Sequence, residues 1–348
     1  MSDFPPIVPR YKGLKNIFKI LRNPIPVLQS FREEYGDTYA FYMGGTKLNV
    51  ISFDPEFCQH VLQKNHRNYE KSELQTVLLA RYLGKGLLTS NGNYWLQQRR
   101  LIQPGFHRDK LTALTRLMNE EIEKFIPRFE EATQTGQPIE VYDEGLEMAF
   151  NIMCRSLFTD SMTDENRLSL KHDLTAVQEF LIKQIRLPFL SKYFHWTGQV
   201  EKARANSANS HAILTSIIEE RRKDTQCYDD LLDMLLSSRY EDTGEGMNDE
   251  QVLAETQVLF AAGHETSANS IAWTLYLLAK HPQVVKKLRA EFAEVLEERP
   301  PEFSDLRQLS YTMQVINESM RLYPPAWITD RMTLGDDEVA GWKIPKGT

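Results

Sequence analysis

Cysteine, long apolar runs and surplus positive charge are all scarce in this 348-residue sequence, and each shortage removes a class of protein. Cys58, Cys154 and Cys227 lie too far apart in sequence for a disulfide framework or a zinc-binding spacing, which points to a reducing, cytoplasmic setting. No segment offers about 18 consecutive apolar residues, so no transmembrane segment is expected. Residues 1–22, broken by Pro5, Pro6 and Pro9, lack the core of a signal peptide. With 41 Lys and Arg against 48 Asp and Glu, the net charge of -7 argues against a nucleic-acid binder working through phosphate contacts. Internal repeats and low-complexity tracts are also missing. What remains is a globular composition, 41% hydrophobic, in a chain long enough for one large or two ordinary domains.

The stretch 251–280 organises the rest. It is apolar on both sides of its centre (Val252, Leu253, Val258, Leu259, Phe260, then Ile271, Trp273, Leu275), as in a buried helix. Asn248 followed three residues later by Gln251 forms a variant capping box, and His281-Pro282 closes the far end, which specifies roughly 45 Å of helix. The centre is polar: Gly263, His264, Glu265, Thr266, Ser267, Asn269 and Ser270 follow one another. Polar groups inside a buried helix need partners or a ligand. The plainer reading is a helix whose hydroxyls bond back to their own backbone.

Along the chain, 26–35 reads as a short helix. Runs 38–42 and 48–52 around Gly44-Gly45 read as a hairpin, and Asp54-Pro55 as the start of another helix. From Asn91 onward the pattern is mostly helical, with Leu111, Leu114, Leu117, Met118, Ile122, Phe125 and Phe129 at helical spacing. Residues 135–138 and 241–246 read as loops. The expected fold class is therefore mostly α with a small β portion, in a single domain.

Three constellations stand out. Trp95 and Arg99, four apart on a helix, present an indole N–H and a guanidinium able to bind a carboxylate, or else a surface cation–π pair. Glu318 and Arg321 form an i, i+3 pair, ordinarily solvated, but here flanked by Met313, Val315, Ile316, Met320 and Leu322, so that burial is expected. His264-Glu265 suggests a zinc-protease motif, but Ala268 stands where its second histidine belongs, leaving His264 a packed or hydrogen-bonded side chain.

In this order and at these distances the constellations resemble a cytochrome P450 of the soluble bacterial type, a haem-thiolate monooxygenase. Ala262, Gly263, His264, Glu265, Thr266 and Ser267 match the family's oxygen-activating segment. Trp95 and Arg99 match its haem-propionate pair, Glu318 and Arg321 its Glu-x-x-Arg, and Arg331 a further propionate-binding position. The closing Gly341 to Thr348 resembles the strand that leads into Pro-Lys-Gly. The resemblance implies one incomplete domain over 1–348: a β-containing part at about 1–90, a helical part at about 91–323 and a strand region at 324–348. The iron-ligating cysteine loop, Phe-x-x-Gly-x-x-x-Cys-x-Gly, is not matched by Cys58, Cys154 or Cys227 and is expected beyond Thr348, so the chain reads as an inactive fragment with no metal ligand of its own.

The implied cofactor is haem b (iron protoporphyrin IX), supplied with NAD(P)H-derived electrons through a reductase and a ferredoxin or flavodoxin-type donor. Gly263 would let O2 approach the helix, Thr266 would hydrogen-bond the bound oxygen, and Glu265 would relay protons. Stretches 74–83 and 180–196 would line and cover a pocket for a hydrophobic substrate such as a fatty acid or terpenoid; ordinary packing or contact with a membrane surface explains them equally well. Arg99, Arg100, Arg108 and Lys110 offer a docking face for an acidic donor, or a solvated helix face. The alternatives are a peroxide-using haem-thiolate enzyme and a haem-free helical binding module.

Overall fold

Local sequence signals account for most element ends. In the computed structural model, which describes residues 3–43, 47–159, 161–240 and 243–348, two short helices, α1 (Arg10–Lys15) and α2 (Ile17–Arg22), precede α3 (Ile25–Tyr35). Strands β1 (Thr38–Met43) and β2 (Lys47–Ser52) pair antiparallel with Thr38 opposite Ser52; the expected Gly44-Gly45 turn lies outside the described residues. Asp54 caps the helix Pro55–Gln59 by accepting from the Glu56 N–H at 2.9 Å, as its sequence signal required. Tyr39 and Phe41 from β1 pack with Val8, Val27 and Phe31, forming a small core at this end.

The helical portion begins with α4 (Gly92–Ile102). The periodicity across 111–129 belongs to two helices, α5 (Arg108–Glu123) and α6 (Ile126–Thr135). Pro127 in the first turn of α6 explains the break, because a proline inside one continuous helix would remove a hydrogen bond and clash with the preceding turn. Then follow α7 (Val141–Phe158), α8 (Asp164–Arg186), α9 (Ser191–Trp196), α10 (Gln199–Lys223), α11 (Asp249–Lys280), α12 (Pro282–Val295) and α13 (Ser310–Leu322). Gly136 ends α6 in the left-handed conformation, φ 67°, as the 135–138 turn signal implied. Of the 241–246 loop, residues 241–242 lie outside the described residues.

The long helix α11 carries the expected box. Asn248 Oδ1 accepts from the Gln251 N–H at 2.9 Å and Gln251 Oε1 accepts from the Asn248 N–H at 2.9 Å. It lies along α7, and Phe260 sits between Phe150 and Phe158 with ring centres 5.5 and 5.7 Å away. Leu157, Leu214, Ile218 and Leu232 complete this main core. A second core, between α8 and α10, holds Tyr82, Val177, Phe180, Phe194 and Val200.

The two ends of the chain meet. Strand β3 (Tyr69–Glu70) pairs antiparallel with β4 (Met332–Thr333). Asp337 accepts from Asn65 at 3.1 Å and from the Tyr69 hydroxyl at 2.6 Å, and lies 2.9 Å from His60 Nε2. Beyond it, β5 (Asp337–Val339) and β6 (Trp342–Ile344) form the final hairpin. The mostly α architecture with small sheets is as expected. Joining β3 to β4 matters most for function, because it brings residues near 70 and near 331 to the same place.

Candidate functional site

A helix repeats every 3.6 residues, so α11 presents two opposite faces. Phe260, His264 and Ala268 fall on one, and all three are buried. His264 Nδ1 lies 2.7 Å from the Phe260 carbonyl oxygen and the ring meets Phe150 edge-on at 5.7 Å, the packed histidine expected from sequence. Gly263 lies at the border of this face. A Cβ there would come within 2.6 Å of Met153 Sδ, so the close approach of α7 accounts for the glycine.

Ala262 and Thr266 fall on the other face and are exposed. The Thr266 hydroxyl donates to the Ala262 carbonyl at 2.6 Å, Ser267 to that of Gly263 at 2.6 Å, and the Asn269 amide to that of Glu265 at 3.0 Å. The polar centre is thus satisfied by its own backbone, and it stands open. Glu265, half-buried, faces Tyr142, whose phenol is pushed up by burial and, to a lesser degree, by the Glu265 charge.

Two turns before Ala262, on this same face, Glu255 is 1% exposed. Its Oε2 accepts from the Leu87 N–H at 2.9 Å, while Oε1 has no partner, and burial raises its carboxyl to about 7. Lys71, just after β3, donates to the carbonyls of Leu87 at 3.0 Å and Ser90 at 2.7 Å. Its ammonium lies 5.1 Å from the Trp95 ring centre, and Arg99 covers the same ring at 5.4 Å. The Lys71 amine is lowered to about 8, chiefly by burial, then by the positive charges of Arg331 and Arg99, with Glu255 opposing. Arg331 itself donates to the Asp330 carbonyl at 2.6 Å and to the Thr329 hydroxyl at 3.2 Å.

Lys71 and Arg99 therefore share one indole, and Arg331 lies close enough to Lys71 for its charge to act there. Crowding of like charge at Lys71 disfavours its protonation, and an arriving dianion would relieve that repulsion. Trp95, Arg99 and Arg331 were legible in sequence. Lys71 and Glu255 were missed: Glu255 left a trace as a lone carboxylate in an apolar run, whereas Lys71 left none.

Other expected residues are placed differently. Glu318 and Arg321 do form a two-pronged ion pair, both contacts 2.7 Å, yet their side chains are 56% and 67% exposed. Burial, expected from their apolar neighbours, does not occur because Met313, Met320 and Leu322 are themselves exposed. Within the basic group, Lys110 is ion-paired with Asp229 and Arg99 turns to Trp95, leaving Arg100 and Arg108 exposed. Of 74–83 and 180–196, Tyr82, Phe180, Leu181 and Phe194 are packed in the second core, and Phe189, Tyr193 and Trp196 face solvent.

No cysteine reaches the open face. Cys154 is buried in the main core beside Phe150, on the α7 side of α11, with its thiol pushed up to about 12 by burial. Cys58 lies near Ser52, and Cys227 is exposed. The described residues fit the carboxylate edge of a haem through Lys71, Trp95, Arg99 and Arg331, but these three cysteines do not supply a thiolate to it.

The family model for cytochrome P450 matches residues 5–348. Cyclooctat-9-en-7-ol 5-monooxygenase of Streptomyces melanosporofaciens is 32% identical over 336 residues, 96% of this chain and 71% of the relative. Pentalenene oxygenase of Streptomyces avermitilis is 31% identical, covering 95% of this chain and 72% of the relative. Cyclooctatin synthase of Streptomyces melanosporofaciens is 30% identical, covering 93% and 69%.

Proposed function

The chain belongs to the cytochrome P450 family of haem-dependent monooxygenases, and from that premise we propose that it serves oxygen insertion into a hydrophobic terpenoid. Electrons would come from NAD(P)H through a reductase and a ferredoxin or flavodoxin-type carrier. The substrate class rests on the names of two relatives, a cyclooctat-9-en-7-ol 5-monooxygenase and a pentalenene oxygenase.

The observation that carries the reading is that Lys71 and Arg99 share the Trp95 ring while the charge of Arg331 acts on Lys71. We assign these four residues to the carboxylates of haem b, held by charge-assisted hydrogen bonds. When bound, haem supplies the activation of O2. The chain supplies shape and protons. Thr266 can release the Ala262 carbonyl and turn its hydroxyl toward a ligand on the open face, and Glu265, half-exposed and adjacent, can exchange protons with solvent. Ala262, with only a methyl group, leaves room on this face. Met153 accounts for the glycine at 263, so Gly263 is assigned to helix packing rather than to oxygen entry.

Haem titration followed by Soret absorbance tests the site. Arg99→Gln and Arg331→Gln should each weaken binding roughly tenfold or more, the worth of a hydrogen bond to a charged group. Equal affinity in wild type and both variants would overturn the assignment. With an iron-ligating cysteine loop supplied, product formation from pentalenene that requires NADPH, O2 and a ferredoxin supports the reaction. Turnover driven by peroxide alone would favour the peroxide-using alternative instead.

A further inference from the structure

Arg331 ends a stretch with little structure of its own. From Pro324 to Arg331 the chain is neither helix nor strand, and residues 326–329 are exposed. Without a backbone ladder or a packed face, such a stretch does not by itself fix where its cation points. What ties it to a distant segment is the half-buried carboxylate of Asp330. Its Oδ1 accepts from the Gln75 amide at 2.6 Å and its Oδ2 from the Ser72 hydroxyl.

The far side of this clasp is firmly held. Ser72 Oγ also accepts from the Leu74 N–H at 3.1 Å, and its carbonyl accepts from the Gln75 and Thr76 N–H groups at 3.1 and 3.0 Å, so Ser72 opens the helical stretch 74–83. One residue earlier, Lys71 is pinned to the start of α4: its N–H donates to Asn91 Oδ1 at 3.0 Å and its carbonyl accepts from Asn91 Nδ2 at 2.8 Å. On the near side, the Arg331 guanidinium donates to the carbonyl of Asp330 itself at 2.6 Å. Asp330 thus grips the neighbour of Lys71 with its side chain and the head of Arg331 with its main chain. A carboxylate next to Arg331 opposes anion binding by its charge, so any help it gives comes through position.

We propose that Asp330 is the positioning residue of the cation cluster: by clasping Ser72 and Gln75 it sets Arg331 against Lys71 and so prepares both for the haem carboxylates. The role toward haem rests on the assignment of Lys71 and Arg331 to those carboxylates, whereas the clasp itself does not.

Two measurements test it, one with haem and one without. In haem titration followed by Soret absorbance, Asp330→Ala should weaken binding roughly tenfold, as loss of the Arg331 contact would. Asp330→Asn, whose amide keeps both hydrogen bonds if the Ser72 hydroxyl turns to accept, should stay within about twofold of wild type. Asp330→Ala combined with Arg331→Gln should be no weaker than Arg331→Gln alone, because Asp330 acts through that arginine. Without haem, competitive acetylation across pH, read by mass spectrometry, gives the midpoint of the Lys71 amine, about 8 with Arg331, Glu255 and Arg99 as its charged neighbours. Opening the clasp in Asp330→Ala takes the Arg331 charge away from Lys71 and should raise that midpoint toward 10.5. Loss of the Asp330 charge alone has the opposite sign in both measurements: tighter haem and a lower midpoint. Gln75→Ala opens one prong and leaves Asp330 charged, so it should move both measurements the same way by less, and circular dichroism melting verifies that each variant is folded. Haem binding by Asp330→Ala that equals or exceeds wild type overturns the role toward haem, as do an equal loss in Asp330→Asn and additive losses in the double variant. An unchanged or lowered Lys71 midpoint overturns the clasp. If wild type itself takes up no haem, the haem assignment and the role toward haem both fail, while the midpoint still decides the clasp.

Discussion

The two faces of α11 share one helix and differ in what chose their residues. On the face toward α7, Phe260, His264 and Ala268 are buried, and Gly263 at its border has no room for a side chain. On the face away from α7, Ala262 and Thr266 are exposed and the hydroxyl is held only by its own backbone. Packing dictates the first set. The second set is exposed, and packing does not dictate it.

Four substitutions break or sharpen that contrast. Phe260→Ala attacks the packed face at its centre, between Phe150 and Phe158, and should cost about 3–5 kcal/mol in urea denaturation. A loss under about 1 kcal/mol would mean that the core is less dependent on that ring than its complete burial implies.

Glu255→Gln probes the join between α11 and the cation cluster. The Glu255 carboxyl is raised from 4.5 to about 7, so the folded chain binds more protons than the unfolded chain between those values. Its stabilising contribution is full below pH 4.5 and is lost as pH rises to about 7, a difference of roughly 3 kcal/mol. The uncharged amide of the variant should flatten that part of the stability–pH curve, read by thermal melts. An identical curve in both proteins would show that Glu255 titrates normally.

Gly263→Ala places a methyl against Met153 and should cost about 1–2 kcal/mol, the overpacking offset in part by alanine's helix preference. Combining it with Met153→Ala should recover the clash term, and a strictly additive double-mutant cycle would disprove the contact.

Thr266→Ala belongs to the open face, and its effect on stability should be the smallest, with melting and haem affinity unchanged. With an iron-ligating cysteine loop supplied, its effect should appear only in turnover, as electrons diverted from product to peroxide. Unchanged coupling of electron use to product would remove Thr266 from the proton path.

Local signals made much of the fold legible. The capping box at Asn248 and Gln251, the Asp54 cap and the β1–β2 hairpin are decided by neighbours a few residues apart, and they were readable for that reason. The break between α5 and α6 was not read because the apolar spacing continues across Pro127. At the site, Trp95 and Arg99 were visible as a helical pair. Burial of Glu318 and Arg321 was misjudged, because apolar neighbours in sequence do not bury a pair whose helix face has nothing packed on it. Lys71 carried no motif at all; its place follows from β3 pairing with β4, strands that lie at opposite ends of the chain.

By itself the sequence determined the mostly helical class, the span and capping of α11, and the polar insertion at its centre, since these follow from periodicity and short-range hydrogen bonding. Only the tertiary structure decided which side of α11 is packed and which is open, and that Lys71 and Arg99 share one tryptophan. Those outcomes depend on contacts between residues far apart in the chain, and on burial, which no local pattern encodes.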